Sequence, residues 1–235
     1  MRESSSTRYF TRMPWRDILV QGLLIVVSVY LAIVLEGISA DRRDAREARQ
    51  ALVQMLGEMR QDRADLQEIR AEQRERDGQY ADLDRWLSAP ASMPADSFAA
   101  ALSAILGSNR TLYPRRSAWT TMVAAGQLRD LDDPELVTRL GNFYESVNDR
   151  VIDNGNDYDA SVDDVGRNSA IHYWDPSAGR LLTSEAAETA VFRNQLRYLH
   201  ESWNVWYLDL LGAYERQLDA LIGEIETYLQ AHGGG

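Results

Sequence analysis

The chain has 235 residues, a net charge of −11 and no cysteine. This length allows one domain of ordinary size in addition to a short anchor. The missing cysteine excludes disulfides, thiolate catalysis and cysteine-ligated metal sites. All basic residues are arginines, and in residues 42–49 and 60–76 they alternate with acids at helical spacing. That pattern is typical of a solvated helix face with ion pairs, so we expect no nucleic-acid partner.

An uncharged apolar run extends from Ile18 to Leu35 near the N-terminus. As a helix it is roughly 27 Å long, which is enough to cross the hydrocarbon core of a bilayer. The alternative is a cleaved signal peptide, because Ile38-Ser39-Ala40 loosely resembles a cleavage site. The apolar run is longer than the usual 7–15 residues of such peptides. We therefore predict a retained transmembrane helix at residues 18–38 after an arm at residues 1–17.

The arm carries aromatic and basic side chains next to the apolar run, a pattern typical of interfacial anchors. These predicted anchors are Tyr9, Phe10, Trp15, Arg12 and Arg16. Arginines are equally frequent before and after the run, so their count alone does not set the orientation. The short, acid-poor arm favours a cytoplasmic N-terminus. We thus expect a single-pass protein of the bacterial cytoplasmic membrane, with residues 39–232 as a periplasmic or otherwise extracytoplasmic domain.

Polar and small residues recur along one side of the apolar helix. They are Gln21, Ser28, Ala32 and Glu36. Such residues allow two helices to approach closely in lipid and to form hydrogen bonds, so they predict contact with a partner helix. The alternative is that Gln21 and Glu36 merely lie near the two interfaces, while Ser28 bonds to its own helix.

The apolar helix is expected to continue as a long amphipathic helix that ends near Ser88, before Pro90 and Pro94. Its predicted buried stripe follows alternating steps of four and three residues. Polar residues interrupt the stripe at Asp62, Gln73 and Arg76. The full stripe is Ala48, Leu52, Met55, Met59, Asp62, Leu66, Ile69, Gln73, Arg76, Tyr80, Leu83 and Leu87.

Two short helices are predicted next, Asp96–Leu106 with Asp96 as its cap and Pro114–Ala125 with proline in its first turn. The next predicted helix has Pro134 in its first turn and Asp132 or Asp133 as its cap. Its predicted stripe is Val137, Leu140, Tyr144, Val147, Val151, Asn154, Tyr158, Val162 and Val165.

The last predicted helix starts near Ser184, after a loop at residues 172–183. Its stripe is Phe192, Leu196, Leu199, Trp203, Trp206, Leu210, Tyr214, Leu218, Leu221 and Ile225. No sustained apolar and polar alternation is present, so we expect no sheet. The predicted class is all-α, an N-terminal transmembrane helix continuing into an antiparallel bundle of long heptad-patterned helices.

The segment Tyr113–Val147 combines a tryptophan-containing helix that ends at a glycine, a short hydrophobic stretch, an acidic cap, leucines and a tyrosine. The positions are Trp119, Gly126, Leu128, Leu131, Asp132, Leu136, Leu140 and Tyr144. Together with the preceding apolar and charged helices, this segment resembles an uncharacterised family of bacterial membrane proteins. The resemblance covers about half of the chain and implies architecture and location, without implying an activity.

The sequence contains no recognisable catalytic motif. His172, His200 and His232 share no metal-ligand spacing, and neither a phosphate-binding loop nor a nucleophile elbow is present. Aspartates accumulate around residues 149–164, but Gly155 occupies a position where a calcium loop starting at Asp153 needs an oxygen ligand. We therefore predict a solvated helix face with a kink at Gly155, no cofactor, no metal and no catalytic residue.

A candidate partner-binding loop follows that helix, with side chains that do not continue the helical pattern. It comprises His172, Tyr173, Trp174 and Asp175. Exposed aromatic loops are a common device for binding other proteins. We expect Trp203 and Trp206, by contrast, to be part of the core.

These features favour a non-enzymatic accessory or scaffold subunit that stabilises a larger membrane complex. A respiratory or photosynthetic energy-transducing assembly is one candidate host. The expected partners are the lipid bilayer and other subunits of the complex, or further copies of this chain. The alternative function is an extracytoplasmic ligand-binding sensor or signalling module.

Overall fold

The computed structural model describes residues 15–89, 94–107, 109–175, 177–183 and 190–232. The chain divides into two compact units, Met1–Glu47 and Ala48–Gly235. In the first unit, the described residues 15–47 are helical and belong to helix α1, Trp15–Ser88. The side chains from Leu19 to Ile38 are all exposed. Residues 18–35 consist mostly of leucine, isoleucine and valine. No proline and no charged residue interrupts the helix there.

The second unit contains the remainder of α1 and six further α-helices among the described residues. They are α2 (Ala95–Leu106), α3 (Ser117–Ala124), α4 (Pro134–Asn142), α5 (Asn148–Asn168), α6 (Ala190–Tyr198) and α7 (Val205–His232). A π-helical turn at Phe143–Val147 joins α4 to α5, and another at Leu199–Asn204 joins α6 to α7. Short 3₁₀ turns lie at Gln127–Asp130 and Ala170–His172.

The all-α class is confirmed, but the expectation of no sheet is wrong at one small hairpin. Strand β1 (Trp174–Asp175) pairs antiparallel with β2 (Arg180–Leu181). Gly179 has a φ of +59°, a left-handed conformation that glycine adopts without strain in a tight turn. Two residues per strand are too few to produce the alternation by which a strand is recognised in a sequence.

Contacts between distant charged residues define the direction of the helices. Ion pairs link α1 to α6 and α7 in reverse order, so these elements are antiparallel: Arg60–Glu226 at 2.7 Å, Arg63–Asp219 at 3.5 Å, Arg70–Glu215, and Asp84–Arg197 at 2.6 Å. On α5 and its preceding π turn, Phe143 contacts Tyr214 and Tyr158 contacts Tyr207. The segment α4–α5 is therefore also antiparallel to α7, and the predicted antiparallel bundle is present.

The predicted stripe of α1 is confirmed at every position. Each of its residues from Ala48 to Leu87 is at most 6 % exposed, including the three polar ones, Asp62, Gln73 and Arg76. The helix also ends at Ser88 as predicted. A regular helix with no inserted residue keeps the spacing of three and four constant, which is why the pattern could be followed over its whole length.

The predicted stripe of the last helix is wrong in its middle part. Asn204, Tyr207 and Leu211 are buried, whereas Trp203, Trp206 and Leu210 are only half-buried. The π turn at Leu199–Asn204 causes this difference, because it inserts a residue and shifts the following side chains by one position around the axis. The two stripes agree again at Tyr214, Leu218, Leu221 and Ile225, all of which are buried.

The predicted stripe of α4 and α5 is confirmed at six of its nine positions, on both sides of the π turn at Phe143–Val147. The predicted members Val137, Val147 and Asn154 are half-buried, and Leu136, Phe143, Asn148 and Gly155 are buried in addition to the remaining members. Gly155 lies inside the continuous helix α5. A Cβ atom built there would be 3.2 Å from Cβ of Thr111 and 3.4 Å from Oη of Tyr207, so the glycine permits close packing at this point.

Helix starts were predicted with mixed success. Asp133 caps α4 as expected, because its carboxylate accepts the Leu136 N–H at 2.9 Å. Asp96 does not cap α2, because the extended residue Pro94 precedes the helix and Asp96 already lies in its first turn. The short helix predicted at Pro114–Ala125 begins at Ser117 and not at Pro114, since residues 109–116 are irregular. The predicted start near Ser184 lies outside the described residues.

Candidate functional site

The most polar part of the interior surrounds an irregular segment, Asn109–Arg116, which we call the strap. It runs along α1 in the reverse direction, because Arg110 contacts Glu72 whereas Arg115 contacts Asp62. An extended residue advances about 3.3 Å, compared with 1.5 Å in a helix. A short strap can therefore return the chain toward the start of the bundle, so that α4 and α5 run in the same direction as α1.

An irregular segment in a helical core brings backbone groups that need hydrogen-bond partners. The polar interruptions of the α1 stripe supply them. Gln73 donates from Nε2 to the carbonyl oxygen of Arg110 at 2.8 Å. The Asp62 carboxylate accepts the Arg115 N–H at 3.0 Å, and Arg76 donates to the carbonyl oxygen of Ile105. The three interruptions thus satisfy the backbone on and just before the strap.

Two further side chains bind backbone N–H groups of this region. The Tyr207 hydroxyl accepts the Leu112 N–H at 2.8 Å. The Glu58 carboxylate accepts the Ala118 N–H with both oxygens, at 3.1 and 3.2 Å, and so caps the N-terminus of α3 from α1. Because burial raises the pKa of the Tyr207 hydroxyl, this group remains protonated at neutral pH.

A buried amide network lies behind the strap. The Gln73 Oε1 atom accepts from Asn204 Nδ2 at 3.0 Å, and the same nitrogen lies 3.2 Å from the Gln73 carbonyl oxygen. The Tyr158 ring is fully buried beside them, with its hydroxyl 3.5 Å from Gln73 Oε1. This network connects α1, α5 and the π turn before α7, and its amide groups are among the least exposed in the described bundle.

The other side of the strap is bound by α5. Asp159 accepts hydrogen bonds from Asn109 Nδ2 at 2.7 Å, Thr111 Oγ1 at 2.7 Å and the Tyr113 hydroxyl at 3.0 Å. A carboxylate with several donors is stabilised without a cationic partner. The close approach at Gly155 allows Thr111 to reach this position.

Two arginines of the strap form ion pairs, one with acids of α1 and the other with an acid of α5. Arg110 contacts Glu68 at 2.9 Å and Glu72 at 2.7 Å on α1. Arg116 contacts Asp149 on α5 at 2.5 Å. These arginines are partly exposed, so each pair contributes little individually. Together they select one register of the strap between α1 and α5.

Asp62 differs from the other acids because its residue is only 2 % exposed. Burial raises the pKa of its carboxyl group to about 6, although the hydrogen bonds and charge of Arg115 act in the opposite direction. Arg115 reaches Asp62 at 2.6 Å and Asp65 at 2.8 Å, and it thereby links both carboxylates to the strap. The Asp62 carboxyl group is consequently expected to change its charge within the ordinary physiological pH range.

We expect the substitution Asp62→Asn to change the pH dependence of stability. Between about pH 4 and pH 6 the folded chain binds more protons at Asp62 than the unfolded chain, so the unfolding free energy falls as the pH rises through this interval. The asparagine variant lacks this loss. Urea titrations in mild detergent should therefore show the variant gaining about 2 kcal/mol relative to the parent chain between pH 4 and pH 7. A difference that is constant with pH would contradict the raised pKa.

The predicted contact stripe lies on α1 within the first unit. Gln21, Ser28, Ala32 and Glu36 are helical and exposed. Of the predicted anchors, Trp15 is the first described residue and is exposed, whereas for Arg16 only the helical backbone is described. Tyr9, Phe10 and Arg12 lie outside the described residues.

The predicted partner-binding loop is folded against the bundle. Trp174 is only 4 % exposed, so the expected exposure is wrong for this residue. Tyr173 packs against Phe192 with ring centroids 5.4 Å apart, whereas His172 is exposed. Asp175 accepts the backbone N–H groups of Ser177 and Ala178 at 2.9 and 3.1 Å, and so stabilises the hairpin turn. Trp174 belongs to the buried core, β2 packs against α2, and Tyr173 contacts α6 through Phe192.

The histidines do not form a common site. His200 lies 2.7 Å from Asp77 and stacks on Tyr80, while His232 stacks on Tyr228. Within the described ranges, no group of three histidine, cysteine or acidic residues is arranged to hold a metal ion. The polar residues around the strap bind its backbone groups and its side chains, and this arrangement serves to position the strap.

The described chain is therefore an all-α protein in which one N-terminal candidate membrane span is followed by a helical bundle that contains the strap. Among the described helices, α1 is the one long and apolar enough to cross a membrane by length and composition. The chain belongs to a family of unknown function, DUF6090, whose model matches residues 21–199. That range includes the apolar stretch from Gln21 and the whole strap. No curated protein and no solved structure shows significant similarity to the chain.

Proposed function

We propose that this chain is a single-pass, non-enzymatic accessory or scaffold subunit of a larger complex in the bacterial cytoplasmic membrane. The observation that supports the proposal is the apolar part of α1, which has no charge from Ile18 to Leu35 and no buried residue in its most apolar window. In water such a surface would associate nonspecifically, whereas lipid covers it without cost. The bundle then lies outside the cytoplasm and contacts the complex there.

The first test concerns topology. A reporter that is active only outside the cytoplasm should be active when fused after Gly235 and inactive when fused at Met1. The expectation rests on the short arginine-bearing arm and the single candidate span of the described chain. Fusions of both kinds to a reporter active only inside the cytoplasm provide the control. The reversed pattern would contradict the proposed orientation.

The second test concerns association within the membrane. If Ser28 and Ala32 contact a partner helix, the double substitution Ser28→Leu and Ala32→Leu should prevent close approach of the two backbones. Insertion should be unaffected, because leucine keeps the segment apolar. We expect the purified double variant to retain clearly less of its co-purifying chains, measured by quantitative mass spectrometry after mild-detergent extraction.

The matched control is the double substitution Ile25→Leu and Val29→Leu on the same turns of α1. These two substitutions change the shape of the side chains but not their polarity. At least one of the two positions points away from the predicted stripe. Single polar contacts in membranes contribute on average about 0.6 kcal/mol, so the double variants give the fairer comparison. Equal recovery of partners from both variants would indicate that the stripe faces lipid.

A ligand-binding sensor is a second candidate function, and one observation favours it. The bundle contains a cavity between α5 and the π turn that follows α6, with aromatic and acidic lining residues. A bundle can transmit binding by small shifts of packed helices.

A further inference from the structure

The cavity between α5 and the segment α6–π turn has a volume of about 400 Å³. One wall is formed by α5, with Asp157 and Asp164 at positions separated by two helical turns. The opposite wall carries the rings of Tyr198 and Trp203. The cavity therefore combines two carboxylates with two aromatic side chains in a space large enough for a small organic molecule.

The π turn at Leu199–Asn204 explains why a tryptophan lines this cavity. The inserted residue directs Asn204 into the core, where it binds Gln73, and leaves Trp203 half-buried beside α5. The Trp203 ring lies parallel to Tyr158 at an angle of 4° with centroids 6.1 Å apart, and its edge contacts Trp206. Its position is thereby restricted before any ligand binds. Tyr198 is 54 % exposed and can adjust.

The carboxylates of the cavity are not balanced by positive side chains. Asp163, on the same helix, pairs with Arg167 at 2.6 Å, but neither Asp157 nor Asp164 lies within 4 Å of a basic side chain in the described ranges. Asp164 accepts one neutral hydrogen bond, from Asn168 Nδ2 at 2.6 Å. Unbalanced carboxylates attract a cation, and aromatic faces attract organic cations in addition.

We propose that this cavity binds a free alkylammonium, with Tyr198 and Trp203 contacting the cationic group and Asp157 and Asp164 balancing its charge. This binding site goes beyond the accessory role. Another cavity, between α1 and α6, lacks the same property because its Asp84 is already paired with Arg197 at 2.6 Å. Anionic ligands are disfavoured by the two carboxylates.

The test is calorimetric titration of the full chain in mild detergent with choline chloride as the probe. We expect saturable binding with a dissociation constant in the range of about 1 mM, typical of a small exposed cation site. The neutral compound 3,3-dimethyl-1-butanol has the same shape and should bind at least about 10-fold more weakly. Sodium chloride at matched ionic strength should give no saturable signal.

Phosphocholine distinguishes a free alkylammonium from a lipid headgroup, because it carries the phosphate ester of the headgroup. It should bind more weakly than choline, since the phosphate adds negative charge beside two carboxylates. Equal or tighter binding of phosphocholine would overturn the assignment of a free alkylammonium as the ligand. Equal binding of choline and its neutral analogue, or no saturable binding up to about 50 mM choline, would overturn the site.

Variants locate the binding to this cavity. The double substitution Asp157→Asn and Asp164→Asn should weaken choline binding about 10-fold, and Tyr198→Leu about 5-fold. These residues are exposed, so the fold should be retained. The control Glu145→Gln with Asp153→Asn makes the same change in net charge at exposed positions outside the cavity and should leave the affinity unchanged. Equal weakening by both double variants would show a nonspecific effect of charge and would contradict the proposal.

Discussion

The substitution Leu66→Asp should destabilise the bundle by about 4 kcal/mol or more, the range expected for an unpaired charge in a core. Leu66 is fully buried in the α1 stripe. A new carboxylate there would also lie one helical turn after the buried acid Asp62, so repulsion would add to the loss of hydration. Urea titration of the full chain in mild detergent, followed by near-ultraviolet circular dichroism, measures the loss.

Gln67→Asp is the matched control, because it places the same side chain at the next position of α1. Gln67 is exposed, so its replacement should change the unfolding free energy by no more than about 0.5 kcal/mol. Similar losses from the two variants would mean that the stripe is not the buried face of α1. That result would contradict the bundle itself.

The sequence predicted the long helices because their spacing depends on local geometry. In α1 the pattern from Ala48 to Leu87 could be followed through Asp62, Gln73 and Arg76, since neighbouring apolar positions on both sides determine the phase. The same reasoning failed at the π turn Leu199–Asn204, where Trp203, Trp206 and Leu210 were predicted in place of Asn204, Tyr207 and Leu211. An inserted residue shifts the phase by about 100°, and spacing rules that assume one constant period cannot detect it.

The strap could not be predicted from local patterns. The polar positions of the α1 stripe are visible in the sequence as interruptions, but their partners are distant: Gln73 binds the Arg110 carbonyl and Asn204, and Asp62 binds the Arg115 N–H. Pro114 suggested the first turn of a helix, whereas it lies buried in the irregular strap. A buried polar residue in a long apolar stripe was the available sign that an irregular segment crosses there.

The position of Trp203 at the cavity could not be predicted from the helical repeat either. The aromatic residues near Trp203 were visible as a cluster and were assigned to the core. Their actual placement depends on the π turn, which moves Asn204 inward and leaves Trp203 at the cavity. Helix-interior π turns are costly in regular hydrogen bonding and often occur at functional positions. The candidate site therefore follows from the irregularity of the helix and not from its repeat.

Replacing Gln73 with leucine should destabilise the chain by about 2–4 kcal/mol, although leucine has a similar size and is apolar. The Arg110 carbonyl and the Asn204 amide would both lose a partner in a buried environment. Asn204→Leu should cause a smaller loss, because Gln73 keeps its bond to the strap. The free energies of unfolding, again from urea titration, measure both effects.

Because the two amides share a hydrogen bond, their substitutions should not be additive. The double variant Gln73→Leu and Asn204→Leu leaves no unpaired amide between them, so its loss should be smaller than the sum of the single losses by about 1–2 kcal/mol. Gln67→Leu on the exposed face of α1 is the control for adding a leucine and should combine additively with Asn204→Leu. Additive losses for the buried pair would show that Gln73 and Asn204 act independently, and the proposed coupling of the strap to α7 through this network would then be wrong.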